Sequence, residues 1–337
     1  MVTLRDVARA AGVSPATASR ALAQPHKVSP GRRAEVERAA AALGYRHPSA
    51  KPEATWRSLG LIVPDMENPF FAAIVKAVQR RARAAGLAVL VADTDDDAAL
   101  EAEPMAQMRE LVDGIILCSP RMGDDALAEL VGGPEVLLVN RRSEHLRSVV
   151  VDNRDGVRQA LAHLHALGHR HVAYAGGPRA SWSDAERRSG LSPEVHGLDG
   201  LTTTSLGHFP PTFAGGVAAA DLLVASGATA AIAHNDLIAL GLLDRLRARN
   251  TAVPAAISVV GFDDVPAAGF VSPALTTVSV PLDRLGRAAV DLLLDPDAVV
   301  GSEEDESLAT ASHVLPVHLT VRASSGPVRS PLAATTV

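Results

Sequence analysis

The sequence lacks the features that mark secreted and membrane proteins. Its 337 residues contain one cysteine, Cys118, so no internal disulfide framework can form, and this usage is typical of a reducing compartment. No apolar run approaches the roughly 18 residues that a membrane-spanning helix needs. The first residues do not have the basic and apolar segments of a signal peptide. We therefore expect a soluble, cytoplasmic protein with no membrane partner.

Catalytic and cofactor motifs are also missing. The Gly-Gly-Pro turn at 176–178 fits neither the G-x-G-x-x-G pattern of dinucleotide sites nor the G-K-[ST] ending of a P-loop, and no G-x-S-x-G elbow occurs. Gly168 interrupts a local cluster of histidines, and no cysteine joins them, so a metal site is not expected. The clustered histidines are His163, His165, His169 and His171. We expect no cofactor and no enzymatic activity.

The charge of the chain is unevenly distributed. The formal net charge is −6, which at first argues against a nucleic-acid partner. Residues 1–57 hold ten basic and four acidic side chains, a net charge of +6, which leaves −12 for the remaining 22 basic and 34 acidic side chains. A small basic head therefore precedes a large acidic body, and phosphate is a natural partner for the head.

Three short helices are predicted within the head. Thr3 with Asp6 resembles a capping box, and apolar residues at helical spacing follow as far as Gly12. Ser14-Pro15 and Ser29-Pro30 are further start signals, because serine is a good N-cap and proline a good first helical residue. The residues predicted to face inward are Val13, Ala18, Ala21, Leu22, Val36, Ala39, Ala40 and Leu43.

A helix, a glycine-containing turn and a second helix form a helix-turn-helix arrangement. The second helix is slim enough to enter a major groove, where Arg20 can pair bidentately with a guanine edge. A three-helix bundle with an ordinary solvated basic face explains the same pattern. If the helix does enter DNA, phosphates can be held by Thr3, Thr17, Ser19, Ser29 and Arg32.

From residue 59 onward, short apolar runs alternate with amphipathic segments. This alternation favours doubly wound parallel sheets covered by helices on both faces, and about 265 residues suffice for two of them. Ligands of such folds lie at the carboxyl ends of the strands. The predicted strands are 59–63, 87–91, 114–118, 136–139, 149–151, 171–175, 230–233, 257–261 and 276–280. The predicted helices are 69–85, 98–111, 124–131, 154–167, 213–226, 235–249 and 282–294.

Several polar side chains are expected at those strand ends. Asp263 follows an apolar strand, Asn235 opens a helix after another, and Arg187 lies early in a helix after the Gly-Gly-Pro turn. An Asp, an Asn and an Arg in one cleft can hydrogen-bond vicinal hydroxyls, and Phe70 or Phe71 offers an apolar face to a sugar ring. The alternatives are helix caps for the Asx residues and core packing for the aromatic ones.

Residues 3–20, TLRDVARAAGVSPATASR, resemble the N-terminal signature of the LacI/GalR family of bacterial transcription regulators, and the similarity continues at 28–29 and 43–45. The body resembles the effector domain of that family, a two-lobed fold like that of periplasmic sugar-binding proteins. The stretches that carry this likeness are 60–65, 68–71, 151–153, 167–169, 181–183, 186–188, 235–236, 239–241, 258–264, 272–273 and 275–277.

The resemblance implies roles for individual residues. Pro15, Ala16 and Arg20 occupy base-reading positions, at which the first two can contact a thymine methyl group; Ser14 joins them at the DNA interface. In the body the resemblance implies effector contacts by Asp65, Phe70, Phe71, Cys118, Asn140, Arg187, Phe209, Asn235 and Asp263.

Two segments depart from the family pattern. Residues 46–58 are polar and hold two prolines, which indicates a linker; in the family this segment forms a hinge helix whose leucine wedges the minor groove. Ala54 stands at the matching position and Pro52 disfavours a helix, so we expect no sharp DNA kink. A plain flexible tether and a wedge supplied by Trp56 are the alternatives. At 191–212, where the family has a helix, we expect irregular structure.

Four segments are therefore predicted. They are a small all-α helix-turn-helix head (1–45), a linker (46–58), a two-lobed α/β body resembling periplasmic binding proteins (59–323) and a tail (324–337). The predicted protein is a homodimeric regulator, most simply a repressor, that binds double-stranded operator DNA and a carbohydrate-like effector, because one head reads about one half-site. The alternative is a sugar-binding or sugar-processing protein on the same two-lobed fold.

Overall fold

The computed structural model describes residues 3–23, 28–43, 45, 57–131, 134–295, 303–304 and 312–328. The chain divides into two compact units, Met1–Trp56 and Arg57–Val337. Pro52, Ala54 and Trp56, on which the linker predictions rest, lie outside the described residues. Among those described, no helix combines the length and apolarity needed to cross a membrane.

The head consists of α1 (Leu4–Ala10), α2 (Pro15–Ala23) and α3 (Pro30–Leu43), as predicted. Gly12 ends the first helix with a φ of +64°, a conformation that glycine adopts at little cost. Leu43 is 38% exposed, so its assignment to the inner face is wrong. The three helices enclose a small core of Val7, Ala8, Ala18, Ala21, Val36 and Ala40, against which Leu4, Val13, Leu22 and Ala39 pack.

The body contains two sheets, and within its described part the strands run parallel except at two edges. The first sheet has the order β11-β12-β5-β4-β3-β1-β2, with β11 antiparallel. It comprises β1 (Ser58–Val63), β2 (Ala88–Asp93), β3 (Gly114–Cys118), β4 (Glu135–Val139), β5 (Ser148–Val151), β11 (Glu303–Glu304) and β12 (Ser312–Leu315). The second has the order β13-β10-β9-β8-β6-β7, with β13 antiparallel. It comprises β6 (His171–Gly176), β7 (Thr202–His208), β8 (Ala230–Ala233), β9 (Ser258–Asp263), β10 (Thr276–Ser279) and β13 (His318–Thr320).

Helices cover both faces of each sheet, which confirms the two doubly wound lobes. The first lobe is covered by α4 (Pro69–Ala84), α5 (Ala102–Leu111), α6 (Asp124–Ala128) and α13 (Leu282–Leu294), with a 3-10 turn at Ala98–Leu100. The second is covered by α7 (Asn153–Ala166), α8 (Trp182–Ser189), α9 (Pro193–His196), α10 (Phe213–Ser226), α11 (Asp236–Ala248) and α12 (Ala267–Phe270). The chain passes between lobes after β5, after β10 and between β12 and β13.

Two parts of the body are more ordered than predicted. The region 191–212 is not irregular: it forms α9 and then β7, which pairs in parallel with β6 at six positions and is interrupted by a bulge at Leu206. Its run of threonines suits an edge strand, because β-branched residues fit a pleated surface.

The residues from Ser324 to Val328 do not form a tail. Ser324 is fully buried and donates to the Val259 carbonyl at 2.6 Å, and Val328 donates its N–H to the Leu167 carbonyl at 3.0 Å.

Candidate functional site

A cavity lies between the two lobes of the body, where the carboxyl ends of their strands meet. In this arrangement of the lobes it leaves about 20 Å³ of free space, enough for a water-sized group. The first lobe contributes Asn68, Phe70, Phe71, Ser119, Arg121 and Asn140 to the lining, and the second contributes Ser183, Arg187, Pro211, His234, Asn235 and Asp263.

Three of the nine side chains assigned to an effector site do not line this cavity. Asp65 accepts hydrogen bonds from the N–H groups of Glu67 and Asn68, which makes it part of the turn before α4. Cys118 is buried, and burial raises the pKa of its thiol to about 12. Phe209 packs against the core of the second lobe. The six that do line it are Phe70, Phe71, Asn140, Arg187, Asn235 and Asp263.

Arg187 is the best-anchored charge in the cavity wall. Its side chain is 3% exposed and lies in the last turn of α8, not early in the helix as predicted. Its Nε donates to Asn153 Oδ1 at 2.9 Å, and Nη1 donates to the carbonyl of His234. Its Cζ lies 3.6 Å from the centre of the Phe262 ring, and Nη2 lies 3.7 Å from Asp263 Oδ1. The guanidinium is therefore held in one orientation before any ligand arrives.

Asp263 ends β9 with a φ of +116°, so its backbone is in a region that side chains rarely adopt. Burial raises the pKa of its carboxyl well above the usual range; Arg187 opposes this shift and Asp236 adds to it. Strained backbone and a buried acid at a cleft are typical of a binding site.

Asp236, the first residue of α11, is a second buried acid, and it follows the cavity-lining Asn235 in the chain. Its Oδ1 accepts from the Thr277 hydroxyl at 2.5 Å, and its Oδ2 accepts from the Val265 N–H at 2.9 Å. Burial raises the pKa of this carboxyl to about 7, against an ordinary value of 3.8. Between these two pH values the folded protein therefore holds a proton that the unfolded chain has released.

The proton held by Asp236 makes the stability of the folded protein depend on pH. Because the folded state binds more protons, the free energy of unfolding should fall as pH rises from about 4 to about 7. Asp236→Asn keeps the shape, can donate to the Thr277 hydroxyl and cannot ionise, so we expect a flatter profile and a variant more stable than wild type at pH 8. Urea unfolding of the full chain at pH 5, 6, 7 and 8 measures this, with Asp244→Asn, an exposed acid on the same helix, as control. An unchanged slope in Asp236→Asn would contradict the assignment.

Two asparagines line the cavity from opposite lobes. Asn235 caps α11 by accepting from the Ile238 N–H at 2.9 Å, and its amide donates to the Pro211 carbonyl at 3.0 Å. Asn140 donates from Nδ2 to Ser119 Oγ at 2.9 Å, while its buried Oδ1 has no partner in the described part of the chain. Asn235 thus holds the wall together, whereas Asn140 leaves an acceptor for a ligand.

Half of the lining, including Arg121, was not predicted from the sequence. The Arg121 side chain is 7% exposed, and its Nε and Nη2 each lie 2.7 Å from Asp96 Oδ1. Its backbone N–H donates to Glu101, whose carboxyl also accepts from the Met122 N–H. One signal was available, because each missed residue follows a strand or begins the next helix. The missed residues are Asn68, Ser119, Arg121, Ser183, Pro211 and His234.

The four clustered histidines each have a protein partner at a ring nitrogen. The contacts are His163 to the Ser325 hydroxyl, His165 to the Asp199 carbonyl, His169 to the Thr229 and Ser258 hydroxyls, and His171 to the Thr204 hydroxyl. These bonds tie α7 and the strands of the second lobe together.

In the head, the first two helices begin at the predicted caps. Thr3 donates its N–H and hydroxyl to the Asp6 carboxylate at 2.9 and 2.6 Å, and these bonds lower the pKa of that carboxyl. A Thr3 hydroxyl that donates to Asp6 is not free to donate to a phosphate. Ser14 Oγ accepts from the Thr17 N–H at 3.1 Å and so caps α2.

The other residues predicted to contact DNA differ in how exposed they are. Pro15 and Ala16 are exposed at the start of α2, and Thr17 and Ser19 are half-buried. Ser29 and Arg32 are exposed at the start of α3. The backbone of Arg20 is helical, and its side chain lies outside what the structure describes.

Known proteins match both units of the chain. Residues 3–49 match the family described as bacterial regulatory proteins, lacI family, and residues 161–325 match the periplasmic binding protein-like domain. The HTH-type transcriptional regulator GalS of Salmonella typhimurium is 34% identical over 308 residues, which cover 87% of this chain and 89% of GalS.

Solved structures agree over nearly the whole length. The transcriptional regulator CelR–cellobiose complex is 28% identical with a TM-score of 0.67, covering 96% of this chain and 100% of that chain. The lac repressor dimer bound to operator and the anti-inducer ONPF is 27% identical with a TM-score of 0.67, covering 96% and 99%. With its helix-turn-helix head and its two-lobed body, this chain belongs to the LacI family of bacterial transcription regulators.

Proposed function

We propose that this regulator is a repressor that acts in the cytoplasm and whose affinity for operator DNA is modulated by a sugar or sugar derivative bound between its two lobes. The observation that carries the proposal is the cavity, which is lined from two lobes by Arg187, Asp263 and Asn140, the last with a free acceptor. Donors and acceptors in both lobes suit a ligand with several hydroxyl groups. The CelR structure holds cellobiose, which is consistent with this ligand class.

A ligand held by both lobes stabilises whichever arrangement of the lobes it fits best. We propose that this arrangement changes the spacing of two heads in a homodimer, and thereby the affinity for a two-fold operator. The related lac repressor is a dimer on its operator. Phe270 is 86% exposed, and the next residue lies in the lining of a groove, which suits contact with a second copy. The lining consists of Phe213, Leu240, Leu243, Asp244, Arg247, Val271 and Ser272. No catalytic step is assigned.

The experiment that tests the proposal is genomic footprinting with the purified full chain, followed by a sugar screen on the recovered operator. We expect a short two-fold site and at least one sugar that changes its occupancy. Protection of no discrete site would refute the regulator assignment. Discrete protection that none of the sugars changes would refute the effector class.

Arg20 carries the predicted sequence readout in this proposal. Arg20→Ala should cost about 1–3 kcal/mol at one operator base pair and relax the preference there. Arg32→Ala, which removes a proposed phosphate contact, should weaken all sequences about equally and is the matched control. Fluorescence anisotropy with single-base operator variants measures both. Equal loss on operator and random DNA for Arg20→Ala would contradict a base-reading role.

A further inference from the structure

We propose that His234 presents its Nε2 atom as a hydrogen-bond acceptor inside the cavity, and that Asp184 is the positioning residue that fixes this state. The inference rests on the proposed function, because it specifies which chemical group of the effector the second lobe selects. Neither residue was among those predicted from the sequence.

The His234 ring is held in place by its own backbone and by a glycine. The residue directly follows β8, is 5% exposed and lines the cavity. Its N–H donates to the Ala175 carbonyl at 2.8 Å, and its carbonyl accepts from Arg187. A Cβ at Gly177 would lie 2.6 Å from three ring atoms, so the ring packs flat against a backbone that has no side chain. The ring therefore has little freedom to turn.

One edge of the ring faces a buried carboxylate. Nδ1 is enclosed by protein, and Asp184 Oδ1 lies 3.1 Å from it, off the ideal direction for a hydrogen bond. A proton on Nδ1 is stabilised by this negative charge, whereas a lone pair there would be repelled by it. The neighbouring carboxylate therefore selects the tautomer with the proton on Nδ1.

Asp184 remains ionised because of what surrounds it. Burial alone would favour the protonated acid, but the contacts to His234, the Gly177 N–H and Arg188 hold the pKa of the carboxyl well below its usual range. Oδ1 accepts from the Gly177 N–H at 2.7 Å and from the Tyr174 hydroxyl at 2.8 Å, and Oδ2 accepts from Arg188 Nε at 2.7 Å. His208 Nδ1 lies 3.6 Å from Oδ2.

The imidazole itself stays neutral. Burial, together with the nearby Arg187 and Arg121, lowers the pKa of His234 to about 4, and Asp184 offsets this shift only in part. A neutral ring with its proton on Nδ1 carries a lone pair on Nε2. Nε2 has no hydrogen-bond partner in the described part of the chain, and it is not among the fully enclosed polar atoms. In a residue that lines the cavity, this lone pair is open to a ligand.

A bare acceptor in the cavity selects a specific chemistry. It binds an O–H or N–H group and repels a carboxylate or phosphate oxygen that carries no proton. A sugar hydroxyl is therefore favoured at this point over an acidic group. Effectors that lack the hydroxyl would leave Nε2 desolvated without a partner, which is the strongest form of discrimination that a polar site provides.

The first test needs no ligand. In the full chain labelled with ¹⁵N-histidine, the His234 signals, assigned by their loss in His234→Gln, should show a protonated Nδ1 and an unprotonated Nε2 at pH 7. They should remain neutral down to about pH 5. Asp184→Asn should shift His234 toward the other tautomer. A proton on Nε2, or an imidazolium at pH 7, in the wild-type spectrum overturns the proposal whether or not Asp184→Asn folds.

The second test measures selectivity by calorimetry with D-ribose, D-xylose, D-galactose, D-glucose and their monodeoxy forms. For a sugar that binds the wild type, one deoxy form should bind about tenfold more weakly. His234→Phe should lose this difference, and His234→Gln, whose amide oxygen can replace Nε2, should keep most of it. An undiminished difference in His234→Phe overturns the contact. If none of the four sugars binds the wild type, the sugar assignment of the proposed function fails, and the spectrum alone decides the state of His234.

Discussion

Asp263→Ala is expected to lower the affinity for the effector about 100-fold and to leave operator binding without effector unchanged. The substitution removes the one carboxyl in the cavity lining and leaves the buried Arg187 without the acid 3.7 Å away. A buried polar or charged group that loses its hydrogen-bond partner costs roughly 1–3 kcal/mol, which corresponds to a factor of about 5 to 150. Calorimetric titration of the sugar that scores in the operator screen measures the loss.

The neighbouring residue is a close control. Asp264 is also an acid with a positive φ, +60°, but it pairs with Arg322 at 2.6 Å and does not line the cavity. Asp264→Ala should therefore retain effector affinity within about twofold, even if it costs similar stability. Asp263→Asn keeps the size and tolerates the backbone conformation, so it should lie between wild type and Asp263→Ala. Equal losses in the two alanine variants would show that folding, not contact, explains the effect.

Gly241→Ala is expected to destabilise the body by about 3 kcal/mol, a large fraction of the 5–15 kcal/mol that is usual for folded proteins. Gly241 on α11 faces Gly216 on α10 where the two helices approach most closely. A Cβ on Gly241 would overlap the Phe213 carbonyl oxygen and lie 2.7 Å from the Val217 nitrogen. Both obstacles are backbone atoms, which cannot rotate away, so the helices would have to separate.

A glycine-to-alanine substitution at Gly269 should not lower the stability of the body. A methyl group added to Gly269 in α12 would meet no atom of the described residues within 4 Å, and the backbone there is not left-handed. Gly269→Ala should be neutral or slightly stabilising, because alanine favours a helix by up to about 1 kcal/mol over glycine. Urea unfolding followed by circular dichroism compares the two variants. A Gly241→Ala midpoint equal to that of wild type would mean that the close packing of α10 on α11 is not required.

The alternation of strands and helices was predictable because it depends on local patterns. Buried strands such as Gly114–Cys118 and Ala230–Ala233 have uniform apolar runs, and their ends coincide with the predicted ones. β7 was missed because it is a polar edge strand whose formation depends on pairing with β6. The packing of Ser324 depends on contacts with Val259 and Thr276, which are distant in sequence.

The cavity was predictable only in part, for a related reason. Asn235 and Asp263 follow apolar strands, so their position at a strand end could be read from the sequence. His234 was missed although it stands beside Asn235, because its state depends on Asp184, which reaches it from α8. Cys118 has the right position at the end of β3, but its thiol is buried and does not face the cavity.

The uneven charge of the sequence fits two separate functions, DNA binding by the head and ligand binding by the body. A head with a net charge of +6 suits phosphate, and a body with −12 repels stray DNA. The cavity of the body offers two guanidinium groups, a carboxyl and neutral polar groups to a ligand. DNA binding and ligand binding would then be coupled only through a change in the body that alters the spacing of the heads.

The most direct test of this coupling is reciprocity. Operator affinity should be measured by fluorescence anisotropy with and without saturating sugar, and sugar affinity by calorimetry with and without saturating operator. If one equilibrium links the two sites, the two factors must be equal, and we expect each to be about 5- to 150-fold. A sugar that binds the full chain tightly but leaves operator affinity unchanged would contradict the account.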